Sequence, residues 1–223
     1  MHDRNREPMI HPSATIEADV VIGPGTRIWH NAHVRRGARI GADCTISKDV
    51  YIDAGVIIGD RVKIQNGVSV YQGVTLEDDT FVGPHAAFTN DETPRAFAED
   101  WQVTPTMVRR GASIGANATI VCGVILGPYS MVAAGSTVTN DIAPHGLAVG
   151  SPARLVSYLC RRGHRMRSST SLDYRTVYDC ASCREQLVVD YGVATNMADR
   201  RTCGDRRRVA GEASEVEVAV VAR

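Results

Sequence analysis

Four residues toward the C-terminal end, Cys160, His164, Cys180 and Cys183, are spaced C-x3-H, fifteen residues, then C-x2-C. Two close pairs of thiol and imidazole donors on separate knuckles can reach one tetrahedral ion, so the spacing predicts a structural zinc site. A segment this short has little core of its own and would gain from a metal. Free thiols on a poorly ordered tail are the alternative, and Cys203 is a second choice for the place of His164. The remaining cysteines of interest, Cys44 and Cys122, do not make a disulfide framework in a chain of 223 residues. Cys44 reads as core filler and Cys122 as a bystander thiol at an outward position.

The elements that must carry any such chemistry are set by a period of six. From Ile10 to Val82 an aliphatic residue opens every hexad, as at Ile16, Ile22, Ile28, Val34, Ile40 and Ile46, and the run resumes at Val108, Ile114, Ile120, Leu126, Val132 and Val138. The fifth member is usually small or β-branched, as in Ala14, Val20, Thr26, Ala32 and Cys44. A helical period of 3.6 or a strand alternation of 2 loses this register within a few hexads. Short strands joined by corners, stacked as a parallel solenoid, keep it. Gly recurs at the second position (Gly23, Gly41, Gly59, Gly83, Gly115, Gly127) and at the fourth (Gly25, Gly37, Gly55, Gly67, Gly73, Gly111, Gly123, Gly135). Both are expected to be corners whose φ values a Cβ would penalise.

Composition agrees with a narrow prism cored by Ile, Val and Ala: hydrophobic residues are 43% of the chain and aromatics only 5%. Formal net charge is zero, which argues against nucleic acid as a partner of the body. No apolar stretch approaches membrane-spanning length and the first residues lack the apolar run of a secretory signal, so a cytoplasmic protein without membrane contact is expected. The period divides the chain into a polar lead-in (1–9), a solenoid (10–143), an exit and capping segment (144–159), the zinc-binding tail (160–190) and a poorly ordered remainder (191–223). Arg206 to Arg208 in that remainder is a weak basic cluster, read as solvated.

One excursion, 89–107, interrupts the solenoid. It holds Pro94, Pro105, several acids and the large apolar side chains Phe97 and Trp101, and it cannot continue as corner and strand. A long loop on a rigid scaffold is where specificity usually resides.

The hexads resemble the hexapeptide-repeat acyltransferases, a resemblance that implies an all-β left-handed parallel β-helix; the handedness comes from the resemblance, since crossovers are ordinarily right-handed. More narrowly, the segments from Lys63 to Asp79, Phe88 to Ala96, Arg109 to Gly127 and the GSPAR run within Val149 to Val156 resemble the N-acetyltransferases of nucleotide-linked 3-amino sugars. The resemblance implies acetyl-CoA as donor, a UDP- or dTDP-linked amino sugar as acceptor, and a homotrimer with its sites between neighbouring prisms. A zinc-ribbon-like tail also occurs among similar proteins, with C-x-C in its first knuckle; here Arg162 stands at the second Cys.

Chemistry and resemblance together suggest roles. Acyl transfer to an amine needs an unprotonated nucleophile, a donor for the developing oxyanion and a path for the proton. A sugar amine is weakly basic, so no strong base is obligatory. Asn90 is the first choice for orienting that amine, the alternative being a turn cap. Gln65 and Asn66 occupy a corner expected to face the same cleft, and Arg95 is available for a diphosphate or sugar acid. The resemblance lays the pantetheine arm of CoA near Ala116 and Ala134, the adenine end near Thr139 and Asn140, and the nucleotide phosphate near Arg154.

Two other readings are weighed. His30, His33 and His85 invite a zinc hydratase like the γ-class carbonic anhydrases, although the expected pairing of histidines on successive strands is absent. A catalytically silent trimeric binding scaffold is the other.

Overall fold

The computed structural model describes residues 6–172, 174–190 and 218–221. It divides into two compact units, Met1–Ser157 and Tyr158–Arg223.

The first unit is the expected solenoid. Strands of two or three residues recur at each hexad and stack in parallel on the strand one coil ahead: Met9 on Arg27, Thr15 on His33, Val21 on Arg39. Each pairing spans eighteen residues, so three hexads close one coil and the strands form three faces. The first face runs from Met9–Ile10 through Lys63–Ile64 and Met131–Val132 to Gly146–Gly150 and Ala153–Tyr158. The second runs from Thr15–Ile16 to Thr137–Val138, and the third from Val21–Ile22 to Ile125–Leu126. This is a parallel β-helix, the fold the hexads predict. Hexad openers such as Ile28, Ile46, Ile64 and Ile114 fill the axis with the small fifth residues Ala32, Ala38, Cys44 and Ala118, all fully buried. Each such aliphatic contributes about 1.5–3 kcal/mol by leaving water. Burial pushes the Cys44 thiol up to about 11, and its Sγ lies 3.1 Å from the Gly59 carbonyl oxygen, as core filler should.

The corners explain one glycine column and correct the reading of the other. At the fourth position φ is positive almost without exception: Gly25 (70°), Gly37 (69°), Gly55 (68°) and Gly135 (68°), but also Asp19, Asn31, Asp43, Asp49 and Asn117. The turn closes with the fifth residue's N–H on the second residue's carbonyl, as Ala32 does to Trp29 at 3.3 Å. Gly, Asn and Asp bear this left-handed conformation at least cost. The second-position glycines do not have positive φ. They are small because coils touch there: a Cβ on Gly83 would stand 2.6 Å from the Ala116 nitrogen, and one on Gly115 2.4 Å from that of Ala134.

The excursion occupies 89–105, since the strand Thr106–Val108 resumes the third face. It lengthens one coil, so that Phe81 pairs with Ser113 and Ala87 with Thr119, 32 residues on instead of 18. The exit segment stays on the prism: Ile142 bridges Leu126, and Leu147 stacks on Met131.

The second unit is an antiparallel sheet, in order Arg167–Leu172, Arg175–Asp179, Gln186–Asp190 and Val218–Val221. Of the remainder expected to be poorly ordered, only that last strand falls among the described residues. Cys203 and Arg206 to Arg208 lie outside them. No helix among the described residues is long and apolar enough to cross a membrane.

Candidate active site

Stacking puts equivalent corner residues in columns, spaced by roughly 4.8 Å per coil. At the corner between the first and second faces, here the first edge, the column reads Asn66, Pro84, Ala116, Ala134. His85 donates its N–H to the Asn66 carbonyl at 2.9 Å, Asn117 to Pro84 at 2.9 Å, and Gly135 to Ala116 at 2.8 Å. Gln65 continues the strand Lys63–Ile64 into this corner. The His85 ring lies against Gly67, where any Cβ would meet its Nδ1 at 2.5 Å. The exit segment folds back onto the top of the same edge: the Gly150 N–H reaches Ser136 Oγ at 3.1 Å, and the Ser151 hydroxyl donates to that of Thr137 at 3.0 Å. Arg154 follows on the strand Ala153–Tyr158, exposed, its guanidinium donating to the Ala153 carbonyl at 3.0 Å.

Asn90 stands at the corner between the second and third faces, the second edge. Phe88 pairs with Ile120 and Ile120 with Val138, so Asn90, Cys122 and Asn140 form one column, with Thr89 and Thr139 beside them. Asn90 and Asn140 are thus two coils apart, roughly 10 Å. Asn90 is half-buried; its carbonyl accepts the Thr104 N–H at 2.9 Å where the excursion returns. Thr89 Oγ1 accepts the Cys122 N–H at 2.9 Å. Cys122 is buried, 5% exposed, and not the outward bystander its position suggested, because the returning excursion comes down at this corner, where the Gly123 N–H bonds the Pro105 carbonyl at 3.1 Å. The excursion carries Arg95, exposed and bonded to the neighbouring Pro94 carbonyl, with no ion pair among the described residues. Phe97 is 83% exposed and Trp101 50%.

Within one chain, therefore, the expected residues form two groups. Gln65 and Asn66 share the first edge with Ala116 and Ala134; Asn90 and Arg95 share the second with Thr139 and Asn140. The expectation that Gln65 and Asn66 face the same cleft as Asn90 does not hold inside a single prism, because the second face separates the two corners. Small residues line the upper first edge: Ala116, half-buried, and Ala134, exposed, carry no more than a methyl group.

A polar ladder below Asn90 was not singled out from the sequence. Glu17 accepts from His33 Nε2 at 2.9 Å and from Arg35 Nε at 3.3 Å; Arg35 also reaches the Tyr51 hydroxyl at 3.2 Å and Asp53 at 3.3 Å. Asp53 then accepts the Gln72 N–H at 3.3 Å, one coil beneath Asn90. The Arg36 N–H and the His33 ring hold the Glu17 carboxyl below its ordinary range. Counting back in steps of eighteen from Asn90 and its neighbour Thr89 would have found this column.

The histidines do not assemble. His30 stacks on His11 with ring centroids 3.6 Å apart, His33 pairs with Glu17, and His85 stands three coils above His30 along the first edge. Among the described residues the one group of three or more donors able to share an ion is Cys160, His164, Cys180 and Cys183, whose ligand atoms all lie within 4.8 Å.

Comparison with known proteins gives the following. Residues 37–72 match a model described as bacterial transferase hexapeptide (six repeats), and residues 110–140 one described as hexapeptide repeat of succinyl-transferase. The dTDP-3-amino-3,6-dideoxy-alpha-D-galactopyranose 3-N-acetyltransferase of Aneurinibacillus thermoaerophilus is 44% identical over 171 residues, covering 77% of this chain and 87% of that protein. Among solved structures, a GDP-perosamine N-acetyltransferase variant from Caulobacter crescentus, in complex with CoA and GDP-perosamine, is 25% identical with a TM-score of 0.46, over 68% of this chain and 57% of that one. A hexapeptide-repeat acetyltransferase from Vibrio cholerae, complexed with acetyl-CoA, is 27% identical with a TM-score of 0.43, over 61% and 72%.

Proposed function

Because the chain belongs to the hexapeptide-repeat N-acetyltransferases of nucleotide-linked 3-amino sugars, we propose that it transfers acetyl from acetyl-CoA to the 3-amino group of a dTDP-linked 3-amino-3,6-dideoxyhexose. The observation that carries the reading is 44% identity sustained over 171 residues, longer than the repeat run, with a relative of that activity.

The chemistry asks little of the protein beyond positioning. The neutral sugar amine attacks the thioester carbonyl; the N–C bond forms, the C–S bond breaks, and the amine proton leaves with the CoA thiolate. The Asn90 side-chain oxygen would accept one amine N–H and aim the nitrogen lone pair at the carbonyl, supplying orientation without a strong base. A backbone N–H on an adjacent coil would meet the developing oxyanion. Ala116 and Ala134 would admit the pantetheine arm, Thr139 and Asn140 would neighbour the adenine, and Arg154 and Arg95 would take phosphate charges.

Edge-to-edge packing of three chains would complete this arrangement. The first edge of one copy, with Gln65, Asn66, Ala116 and Ala134, would face the second edge of the next, with Asn90, Thr139 and Asn140, making one site from two halves. Exposed Phe97 and Trp101 on the excursion would then find a partner surface. Both substrates are cytoplasmic metabolites, which is where the enzyme would work.

The test is CoA release with a panel of dTDP- and UDP-linked 3-amino and 4-amino sugars, read by free thiol and product mass. One acetyl group gained on the dTDP-linked 3-amino sugar is the expected result. Binding of acetyl-CoA with no acetylation of any panel member would overturn the acceptor assignment.

A further inference from the structure

We propose that Cys160, His164, Cys180 and Cys183 hold one zinc ion in a tetrahedral site of three sulfurs and one imidazole nitrogen, which pins together the two turns of the second unit. The proposal stands on the second unit alone, so its failure would leave the acetyl-transfer reading untouched.

Geometry carries it first. Zn–S bonds of about 2.3 Å and Zn–N bonds of about 2.0 Å place tetrahedral ligand atoms about 3.5–3.8 Å apart. His164 Nδ1 lies 3.4 Å from Cys160 Sγ and 3.7 Å from Cys180 Sγ, and all four ligand atoms fall within 4.8 Å of one another.

The backbone is built for anionic sulfur. In the first turn Gly163 takes φ of 82°, its N–H reaches the Cys160 carbonyl at 2.8 Å, and the His164 N–H points at Cys160 Sγ from 3.3 Å. The second turn is one residue longer: Arg184 takes φ of 59° and its N–H reaches the Cys180 carbonyl at 3.0 Å. Each turn is closed by the donor cysteine's own N–H, Cys160 to the His164 carbonyl at 3.0 Å and Cys180 to that of Glu185 at 2.9 Å. The first turn precedes the strand Arg167–Leu172, and the second joins Arg175–Asp179 to Gln186–Asp190. One ion therefore ties the segment entering the sheet to a hairpin within it.

Burial is the independent observation. Cys160 is 1% exposed and Cys180 2%, both free thiols, and beside them Leu159, Met166, Leu187 and Val189 make only a small core. A disulfide between any two of the cysteines would leave the third sulfur and the imidazole converging on nothing. A metal would satisfy all four at once and add stability to a unit whose described core is small.

The experiment uses the full chain with any affinity tag removed. Metal analysis should find about one zinc per chain, and cobalt(II) exchanged into the site should give the visible bands of tetrahedral coordination. Chelation should expose three thiols to Ellman's reagent. His164→Cys should retain the ion, whereas His164→Ala should bind zinc at least tenfold more weakly. The proposal is overturned if neither zinc nor cobalt binds after reconstitution under reducing conditions, or if the intact mass reports a disulfide within the set. Unweakened binding by His164→Ala would remove His164 and pass the fourth place to Cys203.

Discussion

The Thr104 N–H donates to the Asn90 carbonyl at 2.9 Å, so the excursion leaves and rejoins the prism at one residue, the one proposed to orient the amine. The main chain of Asn90 is fixed by that bond, and its side chain is left for other work. Asn90→Ala keeps the backbone bond and removes only the amide. We expect kcat to fall by about 10²-fold, on the scale of losing one positioned polar group in a transition state. Acetyl-CoA binding, measured by calorimetry, should stay within about threefold, since a lost orienting contact acts on the amine and not on the donor. Unchanged turnover would remove Asn90 from the mechanism.

The division of residues between two edges makes a sharper test of assembly. Asn90→Ala disables the second edge, and Ala134→Arg fills the first edge, where the exposed alanine would admit the pantetheine arm. Each variant alone should keep no more than about a hundredth of wild-type activity. Co-refolded in equal amounts, they should regain roughly a quarter of wild-type activity, because a mixed trimer contains one interface made of two intact edges. No recovery, with mixed trimers verified by mass, would mean that each site lies within one chain.

The two glycine columns should respond differently to a methyl group. Gly37 has φ of 69° and open space around its Cβ direction, so Gly37→Ala should cost about 1–2 kcal/mol and Gly37→Asn less. Gly83 has ordinary φ, but its Cβ would sit 2.6 Å from the Ala116 nitrogen of the next coil. Gly83→Ala should destabilise more than Gly37→Ala, and Gly83→Asn more still. Thermal unfolding of the four variants checks the order.

Acid should loosen the lower coils through Glu17. Its carboxyl is held low by the Arg36 N–H and the His33 ring, so its contribution is present above the ordinary carboxylate range and is lost as pH falls through the lowered value. Wild type and Glu17→Gln should differ in melting temperature at neutral pH and converge as pH falls below the ordinary carboxylate range. A difference that persists in acid would show that the carboxylate charge is not what Glu17 contributes.

Much of this was legible in the chain itself. A six-residue period admits one backbone solution, corner and strand, because every opener must point inward. Ile28, Ile46 and Ile64 therefore announced the first face without any knowledge of what they touch. The donors at 160, 164, 180 and 183 were legible for a similar reason, since their spacing alone limits how far apart two short turns can hold them. The fourth-position column was legible too, through the Gly, Asn and Asp that left-handed φ selects.

What the period could not give was distance between columns. It assigns Gln65 and Asn90 each to a corner, but only the folded prism puts those corners at opposite ends of one face. Likewise the second-position glycines looked like turn residues, and only stacking revealed that the Gly83 and Ala116 backbones nearly touch. Cys122 looked outward by count and is buried by a loop that the count skips. Local pattern follows from what one residue demands of its own backbone; these three features depend on segments 18 or 32 residues away, where only tertiary packing sets the separation.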